Sequence, residues 1–181
     1  MASLNLHASP SAGFEAPMDM LVACHERVQR SLDLLGRLQR HLETTGCDDS
    51  ASSAAHDVLR YFDLAAPLHH QDEELHVFPV LLAGSDTALR ALARELIEDH
   101  RQMEMAWVTA RVVLVAIEQD ATGALQLSAA QTAALSDFAD LYALHIEREE
   151  GLAYPAAVGQ LSVADLQRMS LDMMARRGLA S

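Results

Sequence analysis

The segment Leu68-His69-His70-Gln71-Asp72-Glu73-Glu74-Leu75-His76-Val77-Phe78-Pro79 recurs as Leu144-His145-Ile146-Glu147-Arg148-Glu149-Glu150-Gly151-Leu152-Ala153-Tyr154-Pro155. The copies share the leucine, the histidine, both glutamates and the proline, and Phe78 stands where the second copy has Tyr154. In each, a glutamate follows the histidine by four positions, so on a helix both side chains fall on one face, a turn apart. An imidazole and a carboxylate supplied twice to the inside of a helix bundle form a donor set for two metal ions. This constrains the fold more than any other feature, because both copies must lie in helices and those helices must meet.

Composition agrees with an all-α chain. Half of the 181 residues are apolar but only 4% are aromatic, and the Ala and Leu that dominate lose little entropy in a helix. The net charge of −13 argues against a nucleic-acid or anionic-membrane partner, since both repel such a surface. Two cysteines, Cys24 and Cys47, are too few for a disulfide scaffold or a cysteine-rich zinc site. Met1 to Pro17 has no basic residue and no sustained apolar run, unlike a signal peptide. No stretch is long and apolar enough to span a bilayer. A soluble, cytoplasmic protein is expected.

Residues 1–16 read as a flexible leader, with Phe14 folding over one end of the bundle as the alternative. Residues 17–160 read as an antiparallel up-down four-helix bundle, and 161–181 as a short fifth helix extending the same domain. The first helix spans Pro17 to about Thr44, with Leu21, Val28, Leu32, Leu35 and Leu42 on or near one stripe. The second runs over about 51–82, capped from Asp48-Asp49-Ser50, with a kink expected at Pro67. The third runs from Ser85 or Asp86 to about Gln119. The fourth, capped by Ser128, reaches at least Glu150 and continues, bent, past Pro155. Ser162 and Asp165 form a capping box for the fifth.

Each copy of the motif is preceded by a lone histidine, His25 before His69 and His100 before His145. At about 1.5 Å per residue, His25 lies about 30 Å below the first turn and His69 about 27 Å below it. The other two turns agree to within about 4 Å, so four histidines on four helices reach one level. Each half then supplies two imidazoles and one carboxylate, and the two glutamates can bridge adjacent ions. Mixed His and carboxylate donors suit Fe, Mn or Zn, and a carboxylate-bridged pair favours non-haem iron. A set of unliganded His and Glu buried at one level would be costly.

With these residues in place, the chain resembles the hemerythrin-like HHE cation-binding family over about residues 17–158. The resemblance implies a four-helix bundle around two non-haem iron ions, oxo- or hydroxo- and carboxylate-bridged, with Zn or Mn as alternatives in recombinant protein. It places the metal ligands on His25, His69, Glu73, His100, His145 and Glu149. Oxygen-carrying members have a further histidine four positions after the helix-three histidine, where this chain has Glu104. Glu104 is therefore either a seventh ligand, a base beside the ligands or a surface residue. The pattern is closer to the iron-centre repair and iron-sensing branches than to the oxygen carriers, although the cysteine-bearing leader of the repair proteins is absent.

Around this set, His76 reads as a core or supporting residue rather than a ligand. His70 reads as hydrogen-bonded or solvated, and Glu74 and Glu150 as turned aside. Tyr142 is either core or a hydroxyl near bound oxygen. Met103 and Trp107 form an apolar wall, Cys24 is a small buried residue, and His7, His41 and His56 lie on the surface. The expected function is a metal protein that binds, senses or detoxifies a small molecule such as dioxygen, nitric oxide or peroxide, more a binding protein than an enzyme. The alternative is iron storage or a metal-stabilised interaction module. A homodimer is left open.

Overall fold

The computed structural model describes residues 13–179; most of the expected leader, His7 included, lies outside them. Four helical rods and a fifth helix follow in chain order. They are α1 (Pro17–Thr44), α2 (Asp49–His76) with α3 (Phe78–Ala83), α4 (Thr87–Glu118), a composite fourth rod, and α8 (Val163–Arg176). The fourth rod comprises α5 (Ala129–Asp140), α6 (Tyr142–Arg148), a π-helical turn (Glu149–Ala153) and α7 (Tyr154–Val158).

The helix starts follow from local chemistry. Pro17 sits in the first turn of α1, where its missing N–H is no loss. Asp48 accepts from the Ala51 amide at the start of α2, and Asp86 from the Ala88 and Leu89 amides at the start of α4. Ser128 with Gln131, and Ser162 with Asp165, form reciprocal capping boxes on α5 and α8. Gly46 follows α1 with φ at 99°, a backbone turn that a side chain would strain.

One interruption departs from expectation, and the other gives the bend expected near Pro155 its form. α2 stays helical through Pro67, and the break comes at Val77. The physical reason is Pro79, which has no N–H for the Leu75 carbonyl and so ends the ladder just ahead of itself. Pro155 does the same in the second copy. There the chain takes up the mismatch as a π-helical turn, with the Tyr154 amide bonded to the Glu149 carbonyl.

The rods close into a ring, with α2 against α1 and α4, α4 against α5, and α5 against α1. The core splits into two apolar clusters. One contains Val28, Leu35, Phe62, Ala66, Met103, Phe138, Tyr142 and Ile146. The other contains Leu21, Val77, Phe78, Leu81, Leu96, Ala153, Tyr154, Met169 and Met173. On every rod the histidine or glutamate of interest lies between a residue of the first cluster and one of the second, so a polar layer separates two apolar ones.

α8 seals the second cluster. Met169 and Met173 pack into it, while Arg177 donates to the fully buried Asp72 at 2.6 Å and Asp172 accepts from His76 at 2.7 Å. Phe14 packs against the same cluster with the Arg177 guanidinium 5.7 Å from its ring centroid, in keeping with the alternative reading of that residue.

Candidate metal centre

His25 from α1, His69 and Glu73 from α2, His100 from α4, His145 from α6 and Glu149 from the π-helical turn are all buried. Their donor atoms converge. His25, His69, Glu73 and Glu149 each offer an atom within 4.8 Å of the others, and His100, His145 and Glu149 do the same. Glu149 belongs to both groups. Glu149 Oε2 lies 3.1 Å from His25 Nε2, while Glu149 Oε1 lies 3.0 Å from His145 Nε2 and 3.7 Å from His100 Nε2. Glu73 spans the same gap, with Oε1 3.5 Å from His69 Nε2 and Oε2 3.5 Å from His100 Nε2.

None of these close approaches is a hydrogen bond. Glu73 Oε2, both Glu149 carboxylate oxygens, His100 Nε2 and His69 Nδ1 are buried without a hydrogen-bond partner among the described residues. Buried polar atoms are ordinarily paired. Several unpaired ones converging in a single layer have the donor chemistry of cation sites, so these residues fit a pair of metal ions.

Three of the four imidazoles are oriented from behind. His25 Nδ1 donates to Glu150 Oε1 at 2.8 Å, His100 Nδ1 to Glu74 Oε1 at 2.9 Å, and His145 Nδ1 to Asp99 Oδ2 at 3.3 Å. A carboxylate only accepts, so each Nδ1 carries the proton and each Nε2 lone pair faces inward. The second glutamate of each motif thus crosses to the lone histidine of the other half. It lies five residues from its own motif histidine, about 140° round the helix, on the edge facing the neighbouring rod. Glu74 and Glu150, turned aside from the donor groups, therefore each support a lone histidine. The doublet of glutamates in both copies was the signal.

Charge in the layer is unevenly held. Burial and the neighbouring Glu149 push the Glu73 carboxyl well above its ordinary value. Glu149 is equally buried, yet the adjacent His100, His145 and His25 imidazoles hold it well below. Burial opposes protonation of His25 and His100, but Glu149 with Glu150 raises the first and Glu149 with Glu74 raises the second. His69 is pushed well below by burial and by the neighbouring His25. Two carboxylates and four imidazoles crowded into a dry layer shift one another in this way.

The two groups differ in their surroundings. The Tyr154 hydroxyl donates to Glu73 and lies 3.2 Å from His25 Nε2, with its ring stacked on His25 at 5.5 Å. Burial, then Glu73 and Glu149, push that hydroxyl well above its ordinary value. Phe78, its counterpart, packs on His100 at 5.6 Å and has no hydroxyl to offer. Tyr154 was not singled out from the sequence, where Tyr142 was weighed instead; Tyr142 sits in the aromatic core against Phe62 and Phe138.

The remaining candidates belong to neither donor group. Glu104 is exposed on α4, a turn beyond His100, and belongs to neither group. His76 is tied to Asp172, and Cys24 is a buried small residue. His41 and His56 pair with Asp48 and Glu118 near the surface. His70 is 6% exposed, stacked on His100 at 3.9 Å, and pushed well below its ordinary value by burial and by His100.

No helix among the described residues is long and apolar enough to cross a membrane. A family model described as the hemerythrin HHE cation binding domain matches residues 16–157. An uncharacterized protein of Haemophilus influenzae is 31% identical over 166 residues, covering 92% of each chain.

Proposed function

This chain belongs to the hemerythrin HHE cation-binding family, and from that premise we propose that it holds two iron ions and presents them to a small molecule such as dioxygen, nitric oxide or peroxide. The observation that carries the reading is the convergence of buried His and Glu donor atoms from four rods, several of them without a hydrogen-bond partner, with Glu149 common to both groups. His25, His69, Glu73 and Glu149 would hold one ion, and His100, His145 and Glu149 the other. Bound there, iron supplies reversible one-electron chemistry and a vacant coordination position. Glu74, Glu150 and Asp99 hold three imidazoles in the tautomer that leaves Nε2 free to ligate. The apolar clusters on either side keep water from the layer.

The test is metal analysis of protein from iron-fed cells, with about two irons per chain expected. Anaerobic reduction followed by nitric oxide or air should then change the near-ultraviolet absorption reversibly. Stoichiometric zinc, or iron whose spectrum ignores every small ligand, would replace this reading with structural or storage binding.

A further inference from the structure

A cavity of about 40 Å³ lies between α2, α4 and α6. Phe62, Ala66, His70, Met103, Trp107 and Tyr142 form most of its wall, and Pro67 and Glu104 complete it. Pro67 and Glu104 are exposed, so they mark the mouth, while the buried His70 is the inner end. The volume exceeds the roughly 10–15 Å³ needed to hold one water-sized probe, so a single molecule of diatomic size fits. The wall is mainly apolar. It disfavours an ion, whose desolvation nothing there would offset.

The cavity exists because the two halves of the chain differ. Superposing the two motif copies pairs His70 with Ile146, Ala66 with Tyr142 and Phe62 with Phe138. The half that carries Ala66 in place of a tyrosine leaves space, and the half that carries His70 in place of isoleucine puts a polar ring at its end. That ring makes no hydrogen bond among the described residues. Its centroid is 3.9 Å from His100 and 6.4 Å from His145. Those two histidines form the second donor group with Glu149.

We propose that this cavity is the port through which a small uncharged molecule reaches the His100/His145 side of the layer, with Pro67 and Glu104 at its mouth and His70 as the last residue it passes. The destination rests on the metal-binding reading; the port itself does not. Glu104 and the net charge of −13 repel anions from the mouth, which favours neutral species.

Trp107 is the sole tryptophan and lines the cavity, so it reports on occupancy without any metal. Metal-free protein under xenon pressure should show xenon beside Ala66, and dioxygen should quench Trp107 fluorescence. Ala66→Val fills the space: it should expel the xenon and weaken the quenching. Met103→Ala enlarges the cavity and should strengthen both signals. In iron-loaded protein, Ala66→Val should slow nitric oxide association by roughly tenfold with iron content unchanged, a barrier of about 1.4 kcal/mol.

An absence of xenon, with quenching equal in wild type and Ala66→Val, overturns the port. Xenon present but nitric oxide association unchanged in Ala66→Val overturns its role as the route. Xenon present and expelled by Ala66→Val, in a protein that takes up no nitric oxide when iron-loaded, supports the port and removes the functional reading instead.

Discussion

Glu149 and Glu104 are both acidic residues near His100, yet they have opposite surroundings. Glu149 is fully buried and common to both donor groups, whereas Glu104 is exposed and belongs to neither. Glu149→Ala should therefore lose both ions, while Glu104→Ala keeps its full metal content by elemental analysis; equal loss in the two would break the ligand assignment. Glu74 and Glu150 act one step further out. Glu74→Gln or Glu150→Gln keeps an acceptor for the histidine Nδ1 but removes the charge, and should weaken metal affinity by about tenfold in a competition titration. Unchanged affinity would mean that these carboxylates do not tune the histidines they touch. The inward histidines and the glutamate four positions on were legible in the sequence because helical periodicity alone fixes their face. The supporting carboxylates were not, because each reaches a histidine on another rod, and periodicity describes only the helix it is read from.

The capping residues were legible at the level of elements for a similar reason: a cap is a contact within three residues of itself. Ser128 shows this, since its hydroxyl accepts from the Gln131 amide while the Gln131 side chain accepts from the Ser128 amide. Ser128→Ala should cost about 1 kcal/mol, lowering the melting temperature by about 2–4 °C for a chain of this size. A melt identical to wild type would mean that α5 starts without help from its cap. The interruptions were harder to place. Pro67 and Pro79 both lack an amide hydrogen, but α2 runs through the first and stops ahead of the second. Around Pro79 the chain must pack Phe78 and Leu81 into the second cluster, a demand set by tertiary contacts. The π-helical turn before Pro155 has the same origin. It lets Glu149 face the layer and Tyr154 reach Glu73 from the same segment, an arrangement that no local propensity encodes.

For the whole molecule, the polar layer is a liability that a cation converts into a link. Four imidazoles and two carboxylates are held out of water between two apolar clusters, and buried charges without full partners destabilise a fold. An ion that binds only the folded chain should stabilise it by about 4 kcal/mol at a thousandfold excess over its Kd. The sign with pH follows from the shifts in the layer. His25 and His100 are raised, so in the metal-free protein the stability they contribute is full below about 6.5 and is lost as pH rises through their folded values. His69 is depressed, so its contribution runs the other way and is lost as pH falls below about 6.5. Metal binding on these residues would need all of these imidazoles neutral and would displace protons from His25 and His100. The gap between the melting temperatures of metal-loaded and metal-free protein should therefore widen from pH 6 to pH 8, and binding should release protons in a weakly buffered titration. A gap that is constant over that range, with no proton release, would mean that the ions sit elsewhere than on these histidines.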